Sequence, residues 1–251
     1  MSDVVVAFDE SILRVTINRP EKRNALSLAV LGEIEDIFSR FAPAAFLRMA
    51  ILTGAGDKAF AAGGDVAELM AFRTKEAAER ISLQGKAALN AIRTFPVPVI
   101  ACVNGLALGG GAELAAACDM RYGAAWAKIG FIHAKLAITP SWGGSIDLVR
   151  LVGPSAAAKM IARGELLTAG EARQAGLFDD VCPEDIDLEA GFAAFLEPML
   201  ERPAQVMRAV KALTRQKVDA SYDELSICET AHFTETWVHD DHWLTLKELA
   251  R

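Results

Sequence analysis

Apolar residues alternate or run together over Val4–Phe8 and Ile12–Ile17, on either side of a polar Asp9–Ser11, and this predicts a β-hairpin. After Ser27 the period lengthens. Leu28, Leu31, Ile34, Ile37 and Phe38 recur at helical spacing, so a helix is expected over roughly 28–40 with Ser27 as its N-cap. Arg48–Thr53 reads as a buried strand, and helical spacing returns from about Lys75 to Arg93, where Pro96 and Pro98 prevent continuation. Val97–Val103 is strand-like and the Ala-rich Gly110–Cys118 is helical, followed by a strand-like Asp119–Tyr122. From Gly143 onward the pattern is almost wholly helical: about 143–151, 154–163, 168–175, 185–201, 203–218, 221–235 and a last stretch near 241–250. An α/β core over residues 1–190 and a helical region over 191–251 are the expected parts. No fixed sequence period supports a solenoid.

Composition narrows the class. The chain has 251 residues, of which 52% are hydrophobic and 24% charged, enough to build one substantial core. Its net charge of −7 argues against general affinity for nucleic acid or anionic membrane. No run of 18 uncharged apolar residues occurs, and Asp3, Asp9 and Glu10 sit where a signal peptide would be basic and then apolar. A cytoplasmic location is therefore expected. Cys102, Cys118, Cys182 and Cys228 are scattered, mostly in apolar runs, and suit neither a zinc site nor a disulfide framework.

The candidate chemistry lies in glycine-rich junctions. In Val103-Asn-Gly-Leu-Ala-Leu-Gly109-Gly110-Gly111-Ala-Glu113 a strand runs through glycines into a helix. Peptide N–H groups at such a helix start point outward and suit a developing negative charge such as an enolate oxygen, and Glu113 adds a carboxylate beside them. Taken alone, the stretch equally fits a tight packing turn. A second junction, Ala50-Ile-Leu-Thr-Gly54 through Gly63-Gly64-Asp65, repeats the pattern, and Thr16-Ile-Asn18-Arg19-Pro20-Glu-Lys22-Arg23-Asn24-Ala-Leu26-Ser27 precedes both.

Together, in this order and spacing, these stretches resemble the enoyl-CoA hydratase/isomerase (crotonase) superfamily, from about residue 4 to the C-terminus. The resemblance implies a spiral of β-β-α units with C-terminal helices that cover the site and build a homotrimer or hexamer. It implies an acyl-CoA thioester substrate and no separate cofactor. It places oxyanion-hole donors at the N–H groups of Gly64 and Gly110, and coenzyme A along Arg19, Lys22, Arg23, Ala62, Gly64, Asp65 and Val66. Three other patterns carry less. Gly54-Ala-Gly56-Asp-Lys-Ala59 fits a loose dinucleotide fingerprint but has no long helix after it. Gly143-Gly-Ser145 lacks the second glycine of a nucleophile elbow. His232, His239 and His242 lack a metal-site spacing, so no metal is expected.

The chain departs from its family at one position. Hydratases it resembles carry a second glutamate ten residues before a Gly-Gly pair. Here the pair is Gly143-Gly144, and His133 stands ten residues before it, with no Asp or Glu between Asp119 and Asp147. Imidazole can act as acid or base at neutral pH, so Glu113 and His133 are the candidate proton carriers. A histidine that merely bonds a backbone carbonyl is the alternative. The first expectation is a hydratase-type lyase. The alternative is decarboxylation of a malonyl-type thioester, because His133 and Pro140-Ser-Trp-Gly-Gly resemble decarboxylase-like members of the superfamily. Double-bond isomerisation and a non-catalytic acyl-CoA binder follow.

Overall fold

A computed structural model describes residues 2–215. The expected helices at 221–235 and 241–250, together with Cys228, His232, His239 and His242, lie outside the described residues. The chain opens with the hairpin β1 (Val4–Asp9) and β2 (Ile12–Ile17), paired antiparallel with Val4 opposite Ile17. Helix α1 (Leu28–Phe41) follows, its start capped by the Ser27 hydroxyl, which accepts the Val30 N–H. Its Val30, Leu31, Ile34, Ile37 and Phe38 are buried.

Next come β3 (Met49–Gly54), β4 (Ala59–Ala61), the short α2 (Val66–Leu69) and α3 (Lys75–Arg93). Thr74 caps α3 through the Ala77 N–H. The unit then recurs as β5 (Val99–Val103), β6 (Leu106–Leu108) and α4 (Gly110–Ala117), and again as β7 (Met120–Gly123), β8 (Lys128–Gly130) and a 3₁₀ turn over Ile132–Leu136. The remainder is α5 (Gly144–Val152), α6 (Pro154–Arg163), β9 (Leu167–Thr168), α7 (Ala169–Gln174), β10 (Asp180–Val181), α8 (Leu188–Leu200) and α9 (Ala204–Thr214). Two short strands, β9 and β10, thus interrupt the region expected to be almost wholly helical.

Each turn of the spiral gives one strand to each of two sheets. The larger has the order β1-β2-β3-β5-β7-β10, parallel from β2 onward, and the smaller has the order β4-β6-β8-β9. The apolar runs of β3 and β5 follow from burial on both faces of the larger sheet. Ala50, Leu52, Val99, Ala101 and Val103 pack into the main core with α1 and α3. The alternate residues Met49, Ile51, Ile100 and Cys102 pack with Phe192 and Leu196 of α8 and Met207 of α9. The smaller sheet holds the site, because β4 and β6 are parallel neighbours, so the glycine loops that leave them emerge side by side.

Among the described residues no helix is long and apolar enough to cross a membrane, and no group of His, Cys, Asp and Glu could hold a metal. The loose dinucleotide fingerprint leads into β4 rather than a long helix.

Candidate active site

The chain leaves β6 through Gly109, whose φ of 51° and ψ of −117° suit glycine, and turns directly into α4. The neighbouring loop Ala62-Gly63-Gly64-Asp65 leaves β4. The two loops nearly touch: a β-carbon on Gly63 would lie 2.9 Å from the Leu108 carbonyl oxygen and 3.7 Å from the Gly110 nitrogen. Neither the Gly64 N–H nor the Gly110 N–H is spent on a hydrogen bond among the described residues. Two unspent peptide donors therefore sit on adjacent loops, one of them at a helix start.

Glu113 lies one turn into α4 and is 1% exposed. Its Oε2 accepts the N–H groups of Trp142 (2.8 Å) and Gly144 (3.0 Å), while Oε1 accepts the Ser141 N–H at 3.2 Å. The fourth partner is His133, whose Nε2 lies 3.0 Å from Oε1. A carboxylate offers about four acceptor positions, and three of them are taken by peptide N–H groups. A β-carbon on Gly144 would overlap the Glu113 side chain, and this explains a glycine there.

His133 is carried by the 3₁₀ turn after β8 and is 7% exposed. Its ring lies beside Gly109, where an added β-carbon would be 3.7 Å from Nε2. The other ring nitrogen, Nδ1, is buried and has no hydrogen-bond partner. Buried polar atoms are nearly always paired, and an exception calls for a functional reason. A histidine bonded to a backbone carbonyl is not what the structure has: the side-chain contact of its ring is with a carboxylate.

The basic loop is arranged differently from a plain cationic patch. Asn24 pins it to the core, its side chain accepting the Arg19 N–H and donating to the Ala55 and Ala59 carbonyls. Arg19 is buried, 6% exposed, and its guanidinium donates to Asp65 at 2.9 Å and to the Ala25 carbonyl at 2.6 Å, with Asp3 3.2 Å away. Arg19 is thus turned inward as a brace between the basic loop and the Gly63-Gly64 loop. Lys22 and Arg23 are exposed, and Lys22 lies 3.7 Å from Asp65. Burial pushes the Asp65 carboxyl up, but bonds from Arg19 and the Glu68 N–H, with the Lys22 and Arg19 charges, outweigh it and hold it below the usual carboxylate range. Ala62 is half-buried with its N–H on the Arg23 carbonyl, and Val66 is exposed beside the loop.

The structure therefore brings Gly64, Gly110, Glu113 and His133 to one place and leaves Lys22 and Arg23 at the surface nearby. Sequence reasoning missed two features. The three-peptide cradle for Glu113 comes from the Ser141–Gly144 turn, which carries no side-chain signature of that role. Trp142, quoted only as part of a motif, has its indole packed against Gly110.

The family model described as enoyl-CoA hydratase/isomerase matches residues 7–247. The chain belongs to the enoyl-CoA hydratase/isomerase family. It is 39% identical to the crotonyl-CoA hydratase of Syntrophomonas wolfei over 185 residues, 73% of this chain and 71% of that protein. It is 35% identical to the 2,3-dehydroadipyl-CoA hydratase of Escherichia coli over 217 residues, 86% and 84% of the two chains. A solved enoyl-CoA hydratase from Bacillus anthracis matches with a TM-score of 0.92 at 31% identity, covering 99% of this chain and 96% of that one. The spiral of β-β-α units is thus the crotonase fold.

Proposed function

We propose that this family member is a lyase acting on a coenzyme A thioester, and that decarboxylation of a malonyl-type acyl group is the reaction its site fits best. In this reading the Gly64 and Gly110 N–H groups bond the thioester oxygen more strongly as it becomes an enolate, and that difference lowers the barrier. Lys22 and Arg23 meet the phosphates of coenzyme A. The bond between the α-carbon and the carboxylate breaks, its electron pair passes into the enolate, and carbon dioxide leaves. His133 in its charged form, held beside Glu113, then gives the Nδ1 proton to the α-carbon and regains a proton once the product has left the site.

One observation carries the choice. The Glu113 carboxylate already accepts three peptide hydrogen bonds and has His133 Nε2 at 3.0 Å from Oε1, so its approach to a reacting water is crowded on both oxygens. Decarboxylation needs one proton donor and no strong base, and His133 Nδ1 is the unpaired titratable atom at the site. Hydration of a 2-enoyl-CoA is the second reading, favoured by the names of the relatives. It would require His133 to deprotonate water and afterwards protonate the α-carbon.

Turnover with methylmalonyl-CoA, crotonyl-CoA and a 3-enoyl-CoA tests this. Release of carbon dioxide from methylmalonyl-CoA, lost in His133→Ala, is expected. Hydration of crotonyl-CoA without decarboxylation would replace the first reading with the second. Failure to bind any acyl-CoA at low salt would remove both. The reading includes the family's homotrimer or hexamer, so light scattering should give a multiple of three times the 26.9 kDa chain mass.

A further inference from the structure

Trp142 is the largest side chain against the glycine loops, and the proton chemistry above makes no use of its indole. Its backbone is immobilised on both sides. The N–H donates to Glu113, and the carbonyl accepts from Arg93 Nη2 at 3.2 Å, while the Arg93 guanidinium is itself held on Asp147 by bonds of 2.6 and 3.0 Å. The indole is 5% exposed and wedged between two elements. Its pyrrole edge (Cγ, Cδ1 and Nε1) rests on Gly85 within α3, and the far edge of its six-membered ring (Cζ3 and Cη2) rests on Gly110. Neither glycine has room for a methyl group on the indole side. Glycine is a poor helix former, and at position 85, well inside a helix of 19 residues, the space it leaves is filled by this ring.

The same ring edge extends over the second loop. A β-carbon on Gly64 would lie 4.0 Å from Cη2 of Trp142 and 2.6 Å from Cδ1 of Leu69 in α2. The two glycines that carry the unspent N–H groups are therefore covered on the side where a side chain would stand by the indole, and Gly64 also by a leucine, both apolar. The geometry points to Trp142 as a specificity-determining residue. Backed by Gly85, it closes the space beyond the thioester carbonyl so that only short, compact acyl groups reach the site with their α-carbon at His133. This rests on the reading that Gly64 and Gly110 bind the thioester oxygen, and it adds the class of acyl group to it. The selection is steric, since an acyl group that extends past the glycine loops meets a ring that has no free side to move into.

Calorimetric titration with propionyl-CoA, octanoyl-CoA and free coenzyme A tests the inference independently of turnover. The wild-type chain should bind propionyl-CoA at least about tenfold more tightly than octanoyl-CoA, within the range by which apolar pockets discriminate size. Trp142→Ala should shrink or invert that ratio by roughly tenfold while leaving free coenzyme A within about twofold. Trp142→Leu serves the same purpose if the alanine variant loses its circular dichroism. Gly85→Ala acts from behind the ring, outside the site. Its methyl drives the indole forward and should weaken propionyl-CoA more than free coenzyme A. A wild-type preference for octanoyl-CoA, or an unchanged ratio in folded Trp142 variants, would overturn the assignment of Trp142 while leaving the thioester reading intact. Binding of free coenzyme A and both thioesters with one affinity, in all variants, would remove the thioester contact at Gly64 and Gly110 and the inference with it.

Discussion

Replacing Glu113 by Gln keeps the shape of the side chain and changes what it can accept, so its consequence can be worked out bond by bond. The amide oxygen can take the place of Oε2 and accept the Trp142 and Gly144 N–H groups, because those peptide donors cannot turn away. The amide NH₂ must then stand where Oε1 stood, facing the Ser141 N–H and His133 Nε2. Ser141 becomes a donor facing a donor, at a cost of about 1–3 kcal/mol. With roughly 2–4 °C of melting temperature per kcal/mol in a chain of this size, the Gln variant should melt between about 2 and 12 °C below wild type.

His133 is affected more severely. It can keep a bond to the amide only by presenting Nε2 as acceptor, which moves the proton of the neutral ring to Nδ1 and removes the counter-charge of the imidazolium. Loss of positioned acid–base catalysis lowers turnover by about 10²–10⁴-fold, and this is the expected fall for the Gln variant, with an altered pH–rate profile. Glu113→Ala separates folding from catalysis. It orphans three backbone donors, roughly 3–9 kcal/mol by the same bookkeeping, against a total stability of about 5–15 kcal/mol, so folded protein should be scarce. Turnover of the Gln variant within threefold of wild type at every pH would show that the Glu113–His133 bond has no part in proton transfer. An Ala variant that melts within about 2 °C of wild type would show that the three peptides do not depend on Glu113.

Four further outcomes follow from other sites. His133→Glu restores the pair of carboxylates found in the hydratases this chain resembles, so hydration of crotonyl-CoA should rise; none above wild type would count against the absent glutamate as the limiting group. Burial pushes the Cys102 and Cys118 thiols up to about 12, so peptide mapping after iodoacetamide at pH 8 should find both unmodified in the native chain and labelled after denaturation. Lys211 is 2% exposed, with its ammonium on Asp119; Asp119→Asn removes the charge partner and should destabilise the chain by about 3–5 kcal/mol in urea, whereas Asp119→Asn with Lys211→Met should recover part of that loss. Asp65 is held below its ordinary range in the fold, so its contribution to stability is full above the unfolded-state value of about 3.9 and fades as pH falls through the lower folded value. Asp65→Asn should therefore melt below wild type at pH 7, with the gap closing as pH is lowered through and below that window; a gap independent of pH would contradict the charge network.

Local signals made part of the fold readable. The hairpin at Val4–Ile17, α1 and α3 carry their own period, and Ser27 and the Pro96/Pro98 pair mark helix ends, so expected and observed boundaries differ by a residue or two. The smaller sheet was not readable. Strands β4, β6 and β8 have three residues each, built from Ala, Leu, Phe, Lys, Ile and Gly with too short a span for an alternation, and their pairing is set by neighbours tens of residues away. The site shows the same division. The glycine-rich helix start placed Glu113 as a candidate and the family resemblance placed His133, but their contact depends on β8 lying beside β6. Arg19 read as part of a cationic loop because nothing nearby in the chain shows Asp65, 46 residues on, drawing it inward. Gly85, a glycine within a strong helix pattern, was the available sign of a bulky partner, and only the fold identifies that partner as Trp142.

The exchange of a carboxylate for an imidazole at position 133 changes more than one proton carrier. Two buried carboxylates facing each other repel and are best separated by something that bonds to both, and in hydration that something can be the reacting water. A carboxylate and an imidazole attract and can close directly on each other, as the 3.0 Å contact between His133 and Glu113 does here. Once they close, the space between them is no longer a place for water, and the Ser141–Gly144 turn completes the shell around Glu113 with three peptide donors. The same turn delivers Trp142, whose ring lies over the glycine loops. A roofed site that leaves little room for water, on the proposed reading, weakens hydration and favours decarboxylation. Poor solvation raises the energy of the localised carboxylate charge of the substrate more than that of the delocalised enolate charge that replaces it when neutral carbon dioxide leaves. On the proposed reading, then, His133, the peptide cradle and Trp142 form one coupled change from a site built around water to one that excludes it. His133→Glu alone should accordingly restore less hydration than His133→Glu combined with Trp142→Ala, because only the double variant returns both the second carboxylate and the room for water. Equal hydration rates for the single and double variants would separate the two features and leave His133 as an isolated substitution.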